Sequence, residues 1–200
     1  MATTLRRAEG FTLIELMVTL TVVFVLALIA VPSFLAVRQR AALRGAGDQA
    51  LSLWNQARFE AAKRNQLVKV GVHSSGADFC LGAATTTDKS DTTPCDCSSA
   101  TPTSNACDIA RFPDNQNDWR SVTLSGTPTL GSDHGVAVID PRFAALADST
   151  AAGTITFAAP PGRIGYKLNL HVDALGRAVL CESTSDANPM SDYSDRRCSP

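Results

Sequence analysis

Gly10-Phe11-Thr12-Leu13-Ile14-Glu15-Leu16 is the stretch that decides how this chain reads. A short leader carrying Arg6, Arg7 and Glu9 ends at Gly10. An apolar run then extends from Phe11 to Val37 with Glu15 as its one ionisable side chain. At about 1.5 Å per helical residue, such a run is long enough to cross a hydrocarbon core about 30 Å thick. A carboxylate at bilayer depth costs about 3 kcal/mol or more, so an acid placed there marks function rather than decoration.

The order of the parts argues against ordinary secretion. A secretory signal runs from basic residues through an apolar stretch to a small-residue cleavage site. Here Glu9-Gly10 precedes the apolar stretch, so a cut at Gly10 removes only the charged leader and leaves the apolar helix on the product. The segment from Arg6 to about Pro32 resembles the type IV pilin and pseudopilin signature. The resemblance implies that a prepilin peptidase cuts after Gly10 and methylates the new N-terminal Phe11. It also implies that Glu15, the fifth residue of the product, pairs with the N-terminal amine of a neighbouring subunit. Opposite charges attract strongly in a low dielectric, and neither is tolerated there alone. Glu15 and Pro32 are therefore the candidate assembly residues.

The formal net charge over 200 residues is −1, and loss of the leader makes it one unit more negative. That balance gives no global reason to expect nucleic acid. The six cysteines, Cys80, Cys95, Cys97, Cys107, Cys181 and Cys198, all follow the apolar run. Beyond a membrane anchor they read as a disulfide framework in an oxidising compartment. Cys181 with Cys198 is the preferred bridge. Cys95 and Cys97 are too close for an easy mutual bond and should each pair elsewhere, with Cys80 and Cys107 the nearest partners. Cys95-x-Cys97 has the wrong spacing for structural zinc, and no metal or cofactor is expected.

The chain divides into a leader, 1–10; a transmembrane or filament-core helix, 11–37; an amphipathic helix, 38–66; and a β-rich globular domain, 67–200. Pro32 should kink the helix near the membrane surface. Gly45 and Gly47 should weaken it by about 1 kcal/mol each relative to alanine. Leu43, Ala46, Ala50, Trp54, Ala57 and Ala61 fall at helical spacing and need a surface to pack on. Strand patterns follow at 68–72, 79–81, 119–124, 136–139, 154–157, 166–172 and 177–181. Two polar segments follow: an insertion at 82–105 reads as surface pinned by cysteines, and a tail at 182–200 reads as surface.

Ala57-Arg-Phe-Glu-Ala-Ala-Lys-Arg-Asn65 leading to Val68-Lys-Val70, then Ile155-Thr-Phe157, Gly162-Arg163 and Leu175-Gly176-Arg177 with Cys181, are similar to the GspH/FimT group of minor pilins and pseudopilins. The fold expected is α+β and pilin-like: a long N-terminal helix packed on an antiparallel β-sheet domain with disulfides. The function implied is that of a minor pilin-like subunit in the initiation or tip complex of a type IV pilus. The implied setting is a bacterial inner membrane, crossed once, with the globular domain periplasmic before assembly. The implied partners are other pilin or pseudopilin subunits, prepilin peptidase, inner-membrane assembly machinery and membrane lipid. A minor pseudopilin of type II secretion is one alternative.

A DNA-binding minor pilin is the other alternative, since some similar proteins use a Gly-Arg-x-Arg motif. Gly176-Arg177-Ala178-Val179 keeps its first arginine and loses the second. Arg163, Lys167, Arg177, Arg196 and Arg197 are the candidate phosphate contacts, although aromatic interleaving is absent. An enzyme is not expected. His73, His134 and His171 are scattered, without a nucleophile or metal partner at motif spacing. Asp114-Asn-Gln-Asn-Asp118 resembles a calcium loop but has Trp119 where the glycine belongs and Ser125 where the glutamate belongs, so it reads as an acidic turn.

Overall fold

The computed structural model describes residues 11–75, 78–97, 105–113, 121–132, 134–160, 165–182, 190, 193, 196 and 198, without the side chains of 29–33, 74, 75 and 78. The leader, including Gly10, lies outside the described residues, as do Arg163, Arg197 and the 114–118 turn. By internal contacts the chain separates into two units, one ending at Arg38 and one spanning Gln39–Pro200.

The first unit holds the beginning of α1, a helix that runs from Leu13 to Arg64. Its described residues from Phe11 to Leu28 are all exposed. The hydroxyls of Thr19 and Thr21 donate to the carbonyls of Leu16 and Met17 at 2.9 and 2.8 Å. Both threonines are thereby satisfied within the helix and leave its surface apolar. The backbone stays helical through Pro32. Among the described residues no helix is long and apolar enough to cross a membrane. The described side chains of the apolar run stop at Leu28 and resume at Phe34.

In the second unit, α1 turns amphipathic. Leu43, Ala46, Ala50, Trp54, Ala57 and Ala61 are fully buried, forming the stripe that their 3.6-residue spacing dictates. The helix stops at Asn65, which takes a left-handed φ of 51°. The Gln66 N–H reaches back to the Ala61 carbonyl, a C-terminal closure that asparagine tolerates better than most residues.

Strand β1 (Leu67–Ser75) follows at once, then β2 (Asp78–Thr86), β3 (Ala110–Phe112), β4 (Thr123–Leu124), β5 (Val136–Asp140), β6 (Ala145–Leu146), β7 (Gly153–Ala158), β8 (Lys167–Val172) and β9 (Ala178–Cys181). They form two sheets rather than one, of order β3-β2-β1-β5-β6 and β4-β7-β8-β9, and every pairing is antiparallel. The fold is therefore α+β with a long N-terminal helix.

The helix stripe, the inner faces of both sheets and the tail build one hydrophobic cluster. Gly47 is a packing position rather than a weak point in the helix. A Cβ there would lie 2.7 Å from Leu168 Cδ2 and 3.0 Å from Leu180 Cδ2, on β8 and β9. The Trp54 indole N–H donates 2.9 Å to the Gly176 carbonyl. Gly176, at a φ of 73°, makes the turn between those strands that glycine allows.

The polar insertion and tail are not simply surface. Residues 82–86 complete β2, with Ala83 and Ala84 buried. From the stretch that follows, Asp91, Pro94, Cys95, Cys97, Asn105 and Cys107 lie on the outer face of β1 and β2. Cys80 is bonded to Cys97 and Cys95 to Cys107. Gly71 and Gly82, partners across the two strands, make room for this cover. A Cβ on Gly71 would lie 2.9 Å from Pro94 Cα, and one on Gly82 would collide with the sulfurs of Cys107 and Cys95. In the tail, Cys198 is bonded to Cys181, and Met190 and Tyr193 are buried in the core. A composition of threonine, serine and aspartate suggested solvent at both places. Cystine sulfur and single apolar anchors supply the burial instead.

Candidate functional site: the start of the long helix

Phe11 and Thr12 precede the first helical residue, Leu13. The Thr12 hydroxyl accepts from the Glu15 N–H at 3.3 Å, and the Thr12 carbonyl accepts from the Leu16 N–H at 3.2 Å. Thr12-Leu-Ile-Glu15 thus has the spacing of a capping box, with Thr12 as the cap. Glu15 sits in the first turn, where a carboxylate meets the positive end of the helix dipole. Its side chain is exposed, as are those of Phe11, Leu13, Ile14, Leu16 and Met17 around it. Pro32 lies further along the same helix, its side chain beyond what is described.

Among the described candidate basic residues, Lys167 and Arg177 do not converge. Lys167 opens β8, while Arg177 follows the turn beyond the far end of that strand. The two are separated by a strand length of roughly 17 Å. Arg196 is exposed at the Lys167 end, where its carbonyl accepts from the Glu182 N–H at 2.9 Å. The Arg177 guanidinium is held by Asp173 at 2.8 Å. Burial alone would raise the Asp173 carboxyl, but the Arg177 backbone N–H and guanidinium outweigh it and hold the group below its ordinary value. The histidines have ordinary partners. His171 Nδ1 lies 3.1 Å from the Thr154 hydroxyl, His134 Nδ1 lies 3.0 Å from the Ser132 carbonyl, and His73 is exposed on β1.

Lys69 and Glu182 are charged groups whose burial was hidden from sequence reasoning. Alternation along β1 puts Lys69 on the outward face, yet it is buried under the cystine-clipped cover. Its ammonium donates 2.9 Å to Asp91 and 3.3 Å to Asn105. Asp91 also accepts from the Thr86 hydroxyl and the Thr93 N–H, both at 2.9 Å. Burial pushes the Asp91 carboxyl up, and Lys69 with these two donors more than offsets it, so the net shift is downward. The pair borders an open cavity of ≈ 550 Å³ near the junction of α1 and β1. With each charge answered by the other, this is the pin that holds the cover down.

Residues 5–31 match the family model described as the prokaryotic N-terminal methylation motif. The match supports a type IV pilin-like or pseudopilin-like signature at the start of the chain, a motif of structural subunits. It implies assembly with other pilin subunits and processing by prepilin peptidase. No curated protein and no solved structure matches the chain.

Proposed function

We propose that this chain is a minor pilin-like structural subunit of the GspH/FimT kind, incorporated into the initiation or tip complex of a type IV pilus. The leader is cut between Gly10 and Phe11, and Phe11 is N-methylated. Before assembly the segment 11–37 spans the bacterial inner membrane once, with the 39–200 unit in the periplasm. The sequence from Leu16 to Val37 carries no ionisable residue, which suits that span.

The observation that carries this reading is the exposed, predominantly apolar surface from Phe11 to Leu28, with Glu15 as its one ionisable side chain and coinciding with the methylation motif. A helix apolar on every side belongs in lipid or in a bundle, not in water. When the subunit leaves the membrane, packing against neighbouring helices replaces lipid contact, and the Glu15 charge is neutralised by a neighbour's Phe11 amine. Three bridges staple the globular unit, as suits a subunit displayed in an oxidising space. A minor pseudopilin of type II secretion is the alternative, and cross-linking of the globular unit to co-expressed subunits of each machine separates the two.

Glu15→Ala tests the assembly role. Leader removal should persist while incorporation into filaments falls by roughly tenfold or more, the effect of about 1.4 kcal/mol at each contact. Incorporation at the wild-type level would remove the charge-pairing role.

A further inference from the structure

We infer that Thr12 fixes where α1 begins and so keeps Phe11, the residue that follows the bond to be cut, outside the helix, which makes Thr12 a positioning residue for leader cleavage. This rests on the processing reading above. The reaction is a hydrolysis. Water oxygen adds to the Gly10 carbonyl carbon, the C–N bond to Phe11 breaks, and the Phe11 nitrogen leaves as an amine carrying the transferred proton. A peptidase has to reach both faces of that carbonyl, and a peptide unit wound into a helix hides its carbonyl in the i to i−4 ladder.

The geometry at the helix start supplies the means. The Thr12 hydroxyl answers the Glu15 N–H, while its carbonyl accepts the first bond of the helix's own ladder, from the Leu16 N–H. The Glu15 N–H is one of the four that every helix leaves open at its start. The neighbouring side chains Phe11, Leu13, Ile14 and Leu16 are hydrocarbon and offer no acceptor. With Thr12 in the cap position, Phe11 is left non-helical and 76% exposed. Glu15 is held in the first turn, at a constant spacing from the bond to be cut. Without the cap that boundary slides. The chain then spends part of its time with the helix begun elsewhere, and the competent fraction falls in proportion.

The test uses the full-length chain in membranes that contain prepilin peptidase, following leader loss by intact mass over time. Thr12→Val keeps the shape and loses the acceptor, whereas Thr12→Ser and Thr12→Asn keep an acceptor in a different shape. Cleavage of Thr12→Val should slow by up to about fivefold, the usual worth of one cap. Thr12→Ser and Thr12→Asn should restore the rate. Amide hydrogen exchange at Glu15, measured on the same full-length proteins in detergent micelles, should quicken in Thr12→Val and return toward wild type in Thr12→Ser. Cleavage of Thr12→Val at the wild-type rate would overturn the inference while leaving the processing reading intact. So would Thr12→Ser and Thr12→Asn variants as slow as Thr12→Val, or unchanged exchange at Glu15. A wild-type chain not cut at Gly10–Phe11 would overturn both.

Discussion

Between Leu13 and Leu28 every described side chain of α1 is exposed, although only Glu15, Thr19 and Thr21 carry polar groups. Between Leu43 and Ala61 the same helix buries Leu43, Ala46, Ala50, Trp54, Ala57 and Ala61 completely. The first stretch is apolar on all sides and finds no partner within its own unit. The second is apolar on one side, and the chain's own two sheets cover that side. What separates them is the period of the apolar residues. A continuous run asks for lipid or sister helices, while a 3.6-residue stripe asks for a single packed face.

The sharpest way to break this contrast is to remove bulk from each stretch. Trp54→Ala removes the largest fully buried side chain among the described residues and its hydrogen bond to Gly176. It should destabilise the globular unit by about 3–5 kcal/mol. Leu20→Ala, in the exposed stretch, should leave the melting of that unit unchanged. Paired thermal melts check both, and a Leu20→Ala loss comparable to that of Trp54→Ala would erase the distinction. Next in size is the cover. Replacing Cys95 and Cys107 together with serine opens a bridge of sequence separation 12, which should cost about 3 kcal/mol in a denaturant titration. An unshifted midpoint would mean that the cover is not stapled by that bond.

The smallest effect is acidic. Asp91 and Asp173 both have carboxyls held below their ordinary value of 3.8, so the folded chain binds fewer protons than the unfolded one. Their contribution is complete above that value and is lost as the pH falls through it toward the lowered folded values. In Lys69→Met the Asp91 carboxyl loses the ammonium that lowers it, and this part of the acid loss should shrink. An acid melting series on wild type and Lys69→Met reads the difference. Identical acid profiles would mean that the pair contributes nothing to the pH dependence.

What was legible in the sequence follows from period and spacing. The helix stripe stood out because six apolar residues repeat at helical intervals, and the longer strands because Val68, Val70 and Val72 alternate. Strands β3 and β6 were not foreseen. Runs of three and two residues carry no period, and partners far along the chain specify them. The cover was legible as a surface insertion pinned by cysteines, and residues 87–90, 92 and 93 are exposed, but its fit against β1 and β2 was not. Its burial comes from cysteines and from the vacancies at Gly71 and Gly82, which become a recess only when β1 and β2 pair. The tail failed for a similar reason, since Met190 and Tyr193 are isolated apolar anchors in a polar stretch. At the candidate site, the acid and its apolar setting were visible, as was the glycine before them. That Lys167 and Arg177 stand at opposite ends of β8 is invisible in one dimension.

The most direct measurement is the mass of the N-terminal peptide of the wild-type chain recovered from cell envelopes. The account predicts a polypeptide that begins at Phe11, carries one methyl group on that nitrogen and keeps Glu15 and the apolar run behind it. A chain that still begins with its basic leader, or one cut beyond the apolar run, would contradict it.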